Sequence, residues 1–119
     1  MSAAYHHTPI HIITVYVEPQ NKKKSDRVVA NLLDIVSQIL DRLPNSKIIV
    51  SGDFNERRKE ITEALLKKAL NPVLNEGTIT HERGNHLDQI FTNLGIMGFW
   101  CCSASDMTDH QIIKCQLSF

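Results

Sequence analysis

Apolar and polar positions alternate over "IHIITVYV" (10–17), and the run is rich in β-branched residues, so it predicts a strand. "EPQNKKKSD" follows as a polar turn. The period then changes. In "DRVVANLLDIVSQILDRL" (26–43), Val29, Leu32, Leu33, Val36, Leu40 and Leu43 fall on one stripe, which predicts a helix of about 27 Å at 1.5 Å per residue. Ser25 is its expected N-cap, and Pro44-Asn45 its stop. "KIIVSGDF" (47–54) reads as the second strand. "RKEITEALLKKAL" (58–70) predicts a second helix that ends before Asn71-Pro72, with Glu63 facing Lys67 one turn on. After the turn-rich "PVLNEGTITHERGN", three more strands are expected in "HLDQIFTN" (86–93), "GIMGFWCCSAS" (95–105) and "QIIKCQLSF" (111–119), with "DMTDH" as the loop before the last. The order β-α-β-α-β-β-β predicts an α/β domain, a sheet with helices layered on one face. Residues 1–9 have no periodicity and are expected to form a flexible N-terminal segment; residues 10–119 form the domain.

The composition changes this picture little. A chain of 119 residues, 42% hydrophobic and 22% charged, is ordinary for one globular core. Its 13 basic and 13 acidic residues cancel, so bulk charge does not drive binding to nucleic acid. Lys22, Lys23, Lys24, Arg57, Arg58 and Arg83 still offer a local basic track. No apolar run approaches the ~20 residues of a membrane span, and no charged-then-apolar leader opens the chain. Cys101, Cys102 and Cys115 are odd in number and contain no C-x-x-C pair; reduced, half-buried thiols in an intracellular protein, nuclear or cytoplasmic, are expected.

The chemistry gathers where strands end. "KIIVSGDFN" runs from an apolar strand straight into Asp53 and Asn55, which period-two geometry sets on the same side of an extended backbone. Asp88 sits inside the otherwise apolar "HLDQIF", where an acid is costly without a cation or a donor. Asp109 and His110 precede the last strand, and Tyr16 closes the first. Taken one by one, these residues serve as well as caps, surface ion pairs or an edge histidine. Together they describe one chemistry. A carboxylate beside an amide orients water, a histidine held by a buried carboxylate keeps one tautomer, and a further carboxylate can hold Mg²⁺. Such a set suits phosphodiester hydrolysis.

The motifs "IIVSGDFN", "NHLDQIFTN" and "TDHQIIKCQL", in this order, resemble the second half of the endonuclease/exonuclease/phosphatase family. The wording "GTITHERGNHLDQIFTNL" is most similar to the apurinic-type endonuclease of non-LTR retrotransposons. The resemblance covers nearly everything from Ile10 to Phe119, and it implies one half of a four-layer sandwich. It further implies that Asp53 positions and helps deprotonate the attacking water, that Asn55 and Tyr16 approach the scissile phosphate, and that Asp88 orients His110. Asp109 would assist at a Mg²⁺ or Mn²⁺ ion. Thr108 stands where the family has serine, and Asp106 is a competing acid nearby.

The family's other half supplies an early asparagine and the principal metal-binding glutamate. "MSAAYHHTP" holds no acid, and Glu18 follows the tyrosine strand in the wrong context. Metal is therefore expected to be held weakly by this chain. A sheet face that the other half would cover is expected to stay bare, with Ile13, Val15, Ile48, Val50, Ile90, Ile112 and Cys115 as its candidates. Three readings follow. One is a metal-dependent endonuclease acting on DNA, completed by a homodimer or a heteropartner. Another is a catalytically weakened remnant that serves as a binding or assembly module. The last is a plain structural domain.

Overall fold

The computed structural model describes residues 9–81, 86–103 and 110–119. Strand β1 (Ile10–Tyr16) runs parallel to β2 (Lys47–Asp53) in a register that pairs Ile10 with Lys47 and Tyr16 with Asp53. Helix α1 (Lys22–Arg42) makes the crossover between them. A 3₁₀ turn (Asn55–Arg57) and helix α2 (Arg58–Leu66) follow β2. The two-residue β3 (Asn71–Pro72) and β4 (Asp88–Thr92) complete a four-stranded sheet of order β1-β2-β4-β3. Strands β5 (Gly95–Ser103) and β6 (Gln111–Ser118) form a separate antiparallel ribbon. The expected elements are all present, with β3 added. It is short and carries a proline, as an edge strand tolerates.

Both helices lie on one face of the sheet. There Val15, Ile48, Val50 and Phe91 meet Val29, Leu32 and Val36 of α1 and Ile61 and Leu65 of α2. Burial of each such side chain stabilises by about 1.5–3 kcal/mol. Phe54 and Phe91 meet edge to face at 5.4 Å.

The other face is open, and four of the residues expected on it lie elsewhere, while Ile90 is there as expected. Ile13, Val15, Ile48 and Val50 lie on the helix-covered side. The open side carries Ile10, Ile12 and Tyr16, with Ile12 71% exposed, and behind them the half-buried Ile49 and Ile90. Both faces of β1 are apolar, so the pattern does not fix the phase, and one residue of phase exchanges every side chain between faces. Ile112 is exposed on the ribbon, as expected, and Cys115 is half-buried there.

Helix ends also differ from expectation. Helix α1 begins at Lys22, inside the supposed turn, because the Asn21 side chain accepts from the Lys24 N–H at 3.1 Å. Lys22 then pairs with Asp26 at 2.7 Å, and Ser25 is a buried first-turn residue, not the cap. Helix α2 stops at Leu66, short of Leu70. Ala69 adopts a left-handed φ of 62°, and the N–H groups of Ala69 and Leu70 return to the carbonyls of Leu66 and Leu65, each at 3.0 Å. This is a Schellman closure with alanine where glycine is usual, and it sends Leu70 back into the core.

Candidate active site

The register aligns Tyr16, Asp53 and Asp88 in one row across β1, β2 and β4. Strand β2 reaches the row under tight local control. Phe54 is fully buried, and this anchors the residue beside Asp53 in the core. The Phe54 N–H donates to the Leu87 carbonyl, and the Val17 N–H to the Asp53 carbonyl, both at 2.9 Å. At Gly52 the backbone of β1 comes so close that a Cβ would lie 1.9 Å from the Val15 carbonyl oxygen. Only glycine fits there.

His110 joins the row from the far side of the chain. Its Nδ1 lies 2.7 Å from Asp88 Oδ2, and its Nε2 lies 3.4 Å from Asp53 Oδ2. An ionised carboxylate only accepts, so the Asp88 contact places a proton on Nδ1 and directs Nε2 at Asp53. The other Asp53 oxygen accepts from the Asn55 N–H at 3.1 Å, an Asx turn that fixes the carboxylate plane. Burial pushes the Asp53 carboxyl above the usual range. The Asn55 N–H opposes that rise, and the charge of Asp88 adds to it. The three side chains are between 13% and 32% exposed, so water reaches them while their charges are poorly screened.

Of the residues singled out in the sequence, Asp53, Asp88 and His110 come together and Tyr16 stands beside them, 63% exposed. Asn55 is not an extension of the strand. It opens the 3₁₀ turn with a φ of 46°, and its amide donates to the Val17 carbonyl at 2.5 Å, tying the end of β1 to the site. Asn55 also lines a cleft of about 330 Å³ with Arg58, Lys59, Glu76 and His86. Asp109, Asp106, Thr108 and Arg83 lie outside the described residues.

The basic track is largely spoken for. Lys22 pairs with Asp26, Lys24 with Glu18, Arg57 with Asp26 and Glu60, and Arg58 with Glu76.

Two residues that the sequence did not single out complete the site. Thr80, fully buried, accepts through Oγ1 from the N–H groups of Leu87 and Asp88 at 2.9 and 3.0 Å, and its carbonyl accepts from the Gln111 N–H at 2.9 Å. His81 forms an antiparallel bridge with His110 and sets its ring perpendicular to the His110 ring, 4.9 Å away. The alternating "TITH" (78–81) was the available hint of an extended segment, but its pairing partner is too distant in the chain to be read from spacing.

The described residues form a mixed α/β fold: a four-stranded sheet with helices on one face, a ribbon of two further strands, and Asp53 and Asp88 side by side at the strand ends. The fold comparison agrees at that level. The chain is similar to the crystal structure of the Haemophilus ducreyi cytolethal distending toxin, with a TM-score of 0.61 and 16% identity over 91% of this chain and 48% of that one. It thus spans about half the length of the toxin chain it matches. No protein-family model and no curated protein matches the sequence. No helix among the described residues is long and apolar enough to cross a membrane.

Proposed function

We propose that this chain carries the water-handling and phosphate-handling half of a metal-dependent phosphodiesterase acting on DNA, of the apurinic-type endonuclease kind found in non-LTR retrotransposons. The observation that carries the reading is His110 held between Asp88 at 2.7 Å and Asp53 at 3.4 Å, in a row that ends in Tyr16. Asp53 orients a water and draws off its proton, a role that suits a carboxyl whose proton affinity burial has raised. Asp88 holds the imidazole so that Nε2 faces the reacting phosphate and steadies its developing charge. The exposed phenol of Tyr16 is free to approach the same phosphate.

Ligand atoms of Asp53, Asp88 and His110 lie within 4.8 Å of one another, and the carboxylate oxygens fit Mg²⁺ or Mn²⁺. Because His110 is engaged by Asp88, Asp53 with Asp109 would hold the ion, and weakly. When bound, the ion would neutralise charge on the phosphate oxygens.

The open face of the sheet calls for a covering layer, supplied by a second copy of this chain or by a different chain. With the basic side chains mostly paired to acids, the covering layer also contributes the contacts that hold the DNA backbone.

The test incubates the purified chain with nicked, abasic and intact duplex DNA in Mg²⁺, Mn²⁺ or EDTA, beside Asp53→Asn and His110→Ala. Metal-dependent cleavage is expected, reduced about 10²–10⁴-fold in each variant. Cleavage that survives both substitutions would refute the assignment. Absence of cleavage at every protein concentration would favour the weakened remnant, a binding or assembly module.

A further inference from the structure

We infer that His81 is a positioning residue for His110: it keeps the imidazole in the orientation that joins Asp88 to Asp53. The inference rests on the reading of His110 given above and gives a role to a residue that the sequence did not single out.

An imidazole between two carboxylates has an alternative to its working orientation. Rotation by half a turn about the Cβ–Cγ bond carries Nδ1 away from Asp88 and sets carbon in its place. The backbone does not forbid this, because terminal torsions at aromatic rings are broad and roughly two-fold. The half-turned ring would lie in the same plane, so the Asp88 hydrogen bond at 2.7 Å selects the working orientation, and a neighbour packed beside the ring restrains the tilt out of plane that would break that bond. The perpendicular ring of His81, with its centroid 4.9 Å from that of His110, occupies that place, and His81 is itself only 8% exposed. Perpendicular packing at this separation is a favoured aromatic arrangement.

The same two residues also fix the backbone from which the imidazole hangs. His81 bridges His110, and the Thr80 carbonyl accepts from the Gln111 N–H at 2.9 Å. Thr80 Oγ1 meanwhile accepts from the Asp88 N–H at 3.0 Å. A single dipeptide therefore touches both members of the Asp88–His110 pair, one by hydrogen bond to its backbone and the other by ring and strand pairing. A histidine chosen only to fill space there would leave the orientation of His110 indifferent to its removal.

Imidazole ¹H–¹⁵N spectra of the intact chain provide the test, and they need no catalytic turnover. The wild type is expected to show a resolved proton on His110 Nδ1 in slow exchange with water. His81→Ala should lose that resonance while backbone amide signals of α1 and β2 keep their positions; His81→Phe, which restores a ring, should recover it. If His81→Ala fails to fold, His81→Gln serves in its place and is expected to lose the resonance too. Retention of the Nδ1 proton signal in a folded Ala or Gln variant overturns the inference, as does a Phe variant that folds but does not recover it. A chain that passes this test yet cuts no DNA would refute the nuclease reading and leave the positioning role standing.

Discussion

Asp53 is held where its charge is costly. Burial and the neighbouring Asp88 raise its proton affinity in the folded chain, and the Asn55 N–H only partly offsets them. The linkage has a definite sign. A carboxyl whose folded value lies above its unfolded one stabilises the fold most at low pH and loses that contribution as pH rises through the folded value. Asp53→Asn removes the buried charge and keeps an oxygen to accept from Asn55. Thermal melts should therefore find the variant at least as stable as the wild type near about pH 7, with the difference shrinking toward about pH 4 as Asp53 protonates. A variant less stable at neutral pH would mean that attraction to His110 outweighs desolvation. The residues that bear charge at the site were legible in the sequence, because an acid in an apolar strand or a D-x-N after one needs an explanation. Thr80 and His81 were not. Their importance comes from contacts with Asp88 and His110 that exist only once the strands have assembled.

At the scale of elements, Gly52 sets how closely β1 can lie against the Asp53 end of β2. An alanine would put its methyl carbon 1.9 Å from the Val15 carbonyl oxygen, and backbone, not a flexible side chain, would have to yield. Gly52→Ala is expected to lower stability by about 1–3 kcal/mol or more in urea unfolding. Faster amide exchange at Val17, whose N–H meets the Asp53 carbonyl, should accompany it. An unchanged unfolding midpoint would show that the strands can part freely. Strands and helices were read correctly in kind because alternation and a helical stripe both persist over many residues. Their ends were not, because caps are side-chain events. Asn21 starts α1 among three lysines that carry no periodic signal, and Ala69 ends α2 in a conformation that its identity does not advertise.

For the molecule as a whole, the bare side of the sheet is the feature with the widest reach. Ile12 is 71% exposed at its edge, so Ile12→Lys should change stability by no more than about 0.5 kcal/mol. If the face is covered by another copy, light scattering should find the wild type associated and the variant monomeric, with weaker binding of a hydrophobic dye. A wild type that is monomeric and binds no dye would contradict a covering layer. The layered α/β order was legible from alternation and the helical stripe, whereas the side left uncovered depended on a phase that two apolar faces of β1 leave undetermined. The site is itself divided between two pieces. Asp53 and Asp88 belong to the four-stranded sheet, and His110 stands at the start of the ribbon. Among the described residues, the strand pairing between those pieces is the contact of Thr80 and His81 with His110 and Gln111. Local opening of that pairing would part His110 from Asp53 and Asp88 while the helix-covered core stays packed, so the three side chains can separate well below the midpoint of global unfolding.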